Sequence, residues 1–333
     1  MRALNTLLLS AIVLISACSS TTERQDQQPA WVDGQSKHYP PQLYLTGQGS
    51  ADNLIDAKDR ARADLAKQFE VAINEHSLQQ QQYSKQQQGE QLQQSVSRQL
   101  ITQTTRTIQG IEIAATWNNQ TIHKHHALAV LSRNKAKQNF SQQIDTLDQH
   151  SQQKLKQAEA EKDALRKAAR VQQAIDKQLQ RQTLQSALQV VDASGRGKPA
   201  QISLGELTRT RDSLINRITL SAKTTGALAP QLKTILSGSS AKAGFQVSTD
   251  NQSDYTLQAE AKLEPPFKQK QWHWLRGTLE LRLIDSNNND IGVQRWPIKA
   301  ASVTTEQAEQ RLLNDIDKIL KNEFRTTVLG FGG

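Results

Sequence analysis

Cysteine is almost absent. A single residue, Cys18, among 333 excludes a framework of intrachain disulfides, so stability must come from packing. Proline (8) and glycine (16) are sparse, which leaves long stretches with nothing to break a helix. Aromatic residues are 5% and hydrophobic residues 36%, so any core is small and shared between modest domains. The only long apolar run is Leu4 to Ile15, and its roughly 12 residues fall short of the roughly 20 that a spanning helix needs. Negative charge is in deficit, with 32 acidic against 41 basic residues and a formal charge of +9. Such an excess suits an anionic neighbour such as a lipid headgroup, peptidoglycan or nucleic acid, without choosing among them. Catalytic motifs are missing too. Gly47-Gln-Gly49 lacks the third glycine of a dinucleotide loop, because Asp52 stands there, and no Gly-Lys-Ser/Thr follows. No serine sits in a Gly-x-Ser-x-Gly turn. The reading is a non-enzyme without a cofactor.

What is present begins at the N-terminus. Met1-Arg2 gives a positive start, Leu4 to Ile15 an apolar centre, and Leu14-Ile15-Ser16-Ala17 places small residues directly before Cys18. This looks like a bacterial lipobox, with a signal peptide over 1–17 cut before a cysteine that carries lipid. The resemblance implies several acyl chains, palmitate among them, and firm anchoring takes more than one chain. Ser19 follows, where an Asp would resemble an inner-membrane retention signal. The expected address is therefore the outer membrane, lipid-anchored on its periplasmic side. Export also argues against nucleic acid as partner. Residues 18–30 form the lipidated end and a polar tether, about 12 residues that reach at most about 40 Å.

The expected fold class is α+β: two small α/β sandwich domains joined by a long helical segment, extended or folded into a hairpin. The first domain spans 31–133. It enters a strand at Gln42 to Gly49 and a helix over Asn53 to Phe69, where Ala57, Ala61 and Leu65 recur at helical spacing. Phe69, Val71 and Ile73 alternate with polar or small residues and predict a second strand. Ser77 to Thr105 is Gln-rich and helix-compatible, and Thr107–Trp117 with Ile122–Ser132 predict a hairpin turning at Asn118-Asn119-Gln120. The helical segment spans 134–216. No proline or glycine falls between Asn134 and Val191, so one helix or two in line are expected, about 80 Å if fully extended. It could serve as a spacer, as a homo-oligomerisation surface, or as a hairpin packed on its own domain. The C-terminal α+β domain, 217–333, reads β-α-β-β-β-β-α, with a last helix from Thr304 to Asn322 and a loose tail at Phe331-Gly-Gly333.

Trp31, Tyr44, Gly47, Gly49, Ser50 and Ala51, followed by the alanine-rich helix ending Arg62-Ala-Asp-Leu-Ala66, resemble the lipoprotein-20 (LPP20) family. That family includes flagellum-associated outer-membrane lipoproteins. The resemblance covers about residues 30 to 140 and implies a structural or assembly role in the envelope or a surface appendage such as the flagellum. It brings no catalytic residues. The C-terminal domain looks like the α/β domains of lipoprotein activators of peptidoglycan synthases, in strand order alone. The alternative role is therefore regulation of peptidoglycan machinery through that domain.

Two further clusters carry chemistry. His123 and His125 would share one face of a strand and His126 the other, enough for weak metal contact, but no cysteine or neighbouring carboxylate completes a closed site, and no metal is expected. Pro265-Pro266-Phe267 and Trp272-His-Trp274 with Arg276 form an aromatic, basic group. Phe267, Trp272, Trp274 and Arg276 are thus candidates for partner binding. The alternative places Phe267 and Trp274 in the core, with Trp272 outside. Asp285 and Asp290 lie in a turn and read as solubilising.

Overall fold

The computed structural model describes residues 28–34, 36–83, 110–248 and 253–333. Cys18, the signal peptide and most of the tether, as well as the Gln-rich stretch after Tyr83, lie outside the described residues.

The first unit comprises β1 (Tyr44–Ala51), α1 (Leu54–Tyr83), β2 (Ile111–Asn119) and β3 (Lys124–Ser132). The strands form an antiparallel sheet in the order β1-β3-β2. Helix α1 starts where Asn53 accepts from the Asp56 N–H and donates its amide to the Asp56 carboxylate, a reciprocal cap. Ala57, Ala61, Leu65, Phe69 and Ile73 then bury one stripe, each at most 1% exposed. A strand was expected over Phe69–Ile73, and the helix instead runs through it. Phe69 and Ile73 also continue a spacing of four from Leu65, and that period wins because Phe69 stacks on Phe140, ring centroids 6.1 Å apart. Val71, the middle member of the apparent alternation, is 48% exposed. The helix lies close on β1 because Gly47 and Gly49 present no side chain. A Cβ at Gly49 would fall 2.3 Å from the Ala57 carbonyl oxygen and the Ala61 amide nitrogen. On the other face a short 3-10 turn, Ala30–Asp33, is tied down by the Gln48 amide, which donates to the Trp31 carbonyl at 2.6 Å.

The long glycine-free segment is neither straight nor continuous. α2 (Arg133–Ala160) and α3 (Ala164–Val191) fold into an antiparallel hairpin, broken at Glu161–Asp163. Asp163 adopts an extended backbone and accepts from the Arg166 N–H at 2.8 Å, so a side-chain cap makes the break that proline or glycine would otherwise signal. Midway along, Arg181 pairs with Asp148, its Nε donating to both carboxylate oxygens at 2.9 and 3.1 Å, and Gln178 adds a second donor. The same guanidinium donates to the carbonyls of Lys198 and Pro199, fastening the return loop along the hairpin. α4 (Leu204–Ile215) then packs Leu207 among Ala158, Val171, Ala174 and Ile175.

The last unit contains β4 (Thr219–Thr225), α5 (Ala229–Lys242), β5 (Gln246–Ser248), β6 (Tyr255–Leu263), β7 (Phe267–Gln269), β8 (Trp272–Asp285), β9 (Asp290–Ser302) and α6 (Thr305–Phe331). It is α+β, as expected, with one strand more because β7 pairs briefly with β8. The sheet runs β5-β4-β6-β8-β7, with β9 on the other edge of β8. Both helices pack against one face. Leu232 and Leu236 of α5 and Leu312, Ile316, Leu320 and Phe324 of α6 meet Leu257, Leu279, Leu281, Leu283 and Ile298. α6 does not stop at Asn322 to leave a loose tail. Phe324, Val328 and Leu329 continue its buried stripe, and the Phe331 ring fills the space over Gly292, where a Cβ would meet it at 2.2 Å.

The close approach of β1 and α1 makes a stability prediction. Gly49→Ala, which meets helix backbone rather than a movable side chain, should lower stability by about 2 to 3 kcal/mol. Gly238→Ala, in α5 with nothing within 4 Å of the added Cβ, should raise it by about 0.5 to 1 kcal/mol. Urea unfolding midpoints measure both, and equal shifts would contradict the packing argument.

Candidate functional site

With both helices of the last unit on one face of the sheet, the opposite face of β6, β8 and β9 has no helix over it. Alternation along β8 sends Leu275, Leu279, Leu281 and Leu283 to the core and Trp274, Arg276, Thr278, Glu280 and Arg282 to the other side. Three of the four candidate residues meet there. Phe267 and Trp274 are register partners across β7 and β8, and their rings stack with centroids 6.2 Å apart and planes 8° from parallel. The Arg276 guanidinium lies 4.4 Å from the Phe267 ring centroid, and its Nε is 3.8 Å from the Glu264 carboxylate. Trp272 shares that face two residues before Trp274, opposite Gln269, and is 37% exposed. Phe267 and Trp274 are partly exposed and belong to none of the buried clusters, so the reading that placed them in the core does not hold. The tight turn between the strands depends on Lys270, at φ 56°.

The polar part of this face is organised by a residue that the sequence does not single out. Glu280 is 7% exposed and accepts from Arg295 at 2.7 Å, Arg282 at 2.8 Å and Lys262 at 3.3 Å. Arg295 first, then Arg282, hold its carboxyl down at about 2, against an ordinary 4.5. The cations come from β6, β8 and β9, so each strand contributes one to a single anion. Lys223 and Lys299 stand on the same face with no ion pair among the described residues, and the local balance is basic. The available signal was the polar alternation Arg276, Thr278, Glu280, Arg282, but it does not say which strands supply Lys262 and Arg295.

The histidines are arranged differently from expectation. β3 begins at Lys124, and His123 sits in the preceding turn at φ 51°, so His123 and His125 do not share a strand face. The Asn119 carboxamide oxygen accepts from the Thr121 and Ile122 amides and shapes that turn, which occupies 120–123, because Asn118 and Asn119 still belong to β2. His126 packs beside Trp117, ring centroids 5.2 Å apart, and burial lowers its pKa. Among the described residues no three His, Cys, Asp or Glu side chains converge as a metal site. Asp285 accepts from the Asn287 and Asn289 amides at 2.9 and 2.8 Å and closes the β8–β9 turn, while Asp290 pairs with Arg282.

These features define a class: an α+β protein with no described helix long and apolar enough to cross a membrane, whose helix-free sheet face is aromatic and basic. The model of the LPP20 lipoprotein family matches residues 29–132, a stretch that takes in the whole first unit. No curated protein matches the chain. Similar solved structures include a minor lipoprotein from Acinetobacter baumannii, at 19% identity over 32% of this chain and 90% of that one, TM-score 0.28. The secreted protein HP1454 from Helicobacter pylori is 12% identical over 84% of this chain and 97% of its own, TM-score 0.46. Lipoprotein GNA1162 from Neisseria meningitidis is 10% identical over 31% of this chain and 97% of its own, TM-score 0.21.

Glu280 supplies the second prediction. Its pKa is lower folded than unfolded, so its contribution is fully present above about pH 4.5 and disappears as pH falls toward 2. Glu280→Gln should cost about 2 kcal/mol at pH 7, because the three cations are partly exposed and can rehydrate. The variant should also lose stability less steeply between those pH values. Urea titrations at pH 7 and pH 3 test this, and a constant difference between the two proteins at both would refute it.

Proposed function

We propose that this lipoprotein is non-enzymatic, held by acylated Cys18 in the outer membrane and facing the periplasm. Its role is structural or in assembly, in the envelope or a surface appendage such as the flagellum, and is carried out through protein contacts. The observation that carries this reading is the helix-free sheet face, where Trp272 is 37% exposed beside the stacked Phe267 and Trp274 and the overlying Arg276. Aromatic and arginine side chains grouped at an accessible surface are what protein interfaces use as anchors. The polar groups of the same face are engaged with one another through Glu280, which suits a rigid binding platform better than proton transfer.

Two measurements test it. Cys18→Ser, or globomycin treatment of cells making the natural chain, should leave an uncut or soluble form. Continued sedimentation with outer membranes in a density gradient would remove the anchor from the proposal. A photo-crosslinking residue at Trp272 in living cells should capture an envelope or appendage protein, and Arg276→Ala should reduce the yield about tenfold. Capture of a peptidoglycan synthase would instead establish the regulatory role.

A further inference from the structure

Away from the aromatic face, at the junction of the hairpin and the last unit, lies a cleft of about 440 Å³ lined by Lys167, Arg209, Thr210, Ser213, Leu214 and Arg217. Three of these six are cations and none is an acid. Arg209, Ser213 and Arg217 follow at intervals of four along α4 and just past its end, so they form one ridge, and Lys167 faces them from the first turn of α3.

The cations are unmatched, and that distinguishes them from their neighbours. Arg181 is bound to Asp148, Arg211 and Arg325 to Asp212, and Arg170 to Glu161. No side-chain hydrogen bond or ion pair of Lys167, Arg209 or Arg217 occurs among the described residues. The acids near the cleft are committed elsewhere. Asp163 caps α3 and accepts from the Tyr255 hydroxyl, Asp254 accepts from the Thr219 amide at 2.7 Å, and Asp212 holds its two arginines. Three like charges around one concavity repel each other, and an anion placed among them relieves that repulsion while gaining charge-assisted hydrogen bonds.

We propose that this cleft is a binding site for a phosphate-bearing group. Two guanidinium forks and one ammonium match the donors that a tetrahedral oxyanion accepts, with the Ser213 hydroxyl as a fourth donor. The volume exceeds that of a bare phosphate, and the cleft is shallow and open to solvent, with Arg209, Thr210, Ser213 and Arg217 exposed along it. Leu214 gives an apolar wall for whatever the phosphate carries. The shared chemistry is a phosphate monoester or diester, supplied by free phosphate or by a lipid headgroup. This site is independent of the protein-binding reading above, since it lies on other elements and uses other residues.

Isothermal titration of the full chain in non-ionic detergent, at constant ionic strength, tests the site with two probes. Inorganic phosphate represents the free source, and glycerophosphoglycerol, the deacylated headgroup of phosphatidylglycerol, represents the lipid source. Saturable binding is expected for at least one probe. Arg209→Gln with Arg217→Gln should weaken it at least about tenfold, whereas Lys223→Gln with Lys299→Gln, the same charge change on the far sheet face, should alter it less than about twofold. Tighter binding of glycerophosphoglycerol assigns the headgroup, and tighter binding of phosphate assigns the free ion. Lys167→Gln, a single substitution at a half-buried position that leaves α4 untouched, should reproduce part of the loss with an unchanged melting temperature. Absence of saturable binding by both probes, or equal losses in the two double variants, overturns the proposal.

Discussion

The break at Asp163 is the constraint on which the rest of the structure depends. Had the glycine-free segment continued as one helix, its two halves would carry their apolar stripes to places about 80 Å apart end to end. Because Asp163 caps a new helix, the halves lie side by side and each end of the pair becomes part of a different core. Ala136, Phe140, Ile144, Ala187, Leu188 and Val191 complete the core of the first unit, and Leu165 and Ala168 enter that of the last. Neither core is closed without the hairpin. Asp163 also accepts from Tyr255, a phenol whose pKa is raised by burial and then by this hydrogen bond, so the residue that ends one element ties it to the next domain. At the other end Arg133 donates to the carbonyls of Pro41 and Val190, joining β3, the first unit and the end of α3.

The hairpin shows how this sequence places charge where it has little apolar area. Asp148 and Arg181 are nearly fully buried, 5% and 4% exposed, and burying two ions costs more than burying a methyl group. The cost is offset because Nε and Nη2 of Arg181 both have acceptors: two carboxylate oxygens and two loop carbonyls. A slip of the hairpin by one turn would leave these groups dry and unpaired, so the pair fixes the register that a thin apolar stripe specifies weakly. Asp192 does the same for the return loop. Lys137, the Ser194 hydroxyl and the Gly197 amide converge on it and hold its carboxyl well below the usual range. Glu280 repeats the device on the sheet, where strands from three parts of the chain meet at one anion. Gln, Ser and small residues elsewhere can then remain on the surface at little cost.

What the sequence made legible was local. The strand and helix order of the last domain could be read from it, missing only the short β7, and the absence of proline and glycine from Asn134 to Val191 announced the helices. The failures occur where a partner distant in sequence decided the outcome. Phe69 and Ile73 fit both a strand period and a helix period, and Phe140, about 70 residues on, selects the helix. The hairpin turn carries no breaker, only Asp163 as an N-cap, which in isolation resembles any surface aspartate. Phe331-Gly-Gly333 suggested a loose end, yet the helix persists through Phe331 because its ring seats over Gly292 and Gly332 comes against Leu165. At the candidate surface, Phe267, Trp272, Trp274 and Arg276 could be named from composition. Glu280 could not, because its three partners come from separate strands. The cleft at Lys167 was hidden for the same reason, its cations lying on two helices that meet only in the fold.

This arrangement changes what an anchored chain can reach. A hairpin arm of 28 residues is about 42 Å long, half the span of a straight segment. The first unit sits at the hairpin's open end and the last unit at its turn. Because both share buried side chains with it, the aromatic face is held at a fixed distance from the first unit instead of swinging on a linker. A rigid platform loses less entropy on docking than a flexible one. That is a physical reason to place partner contacts on the stiff sheet face.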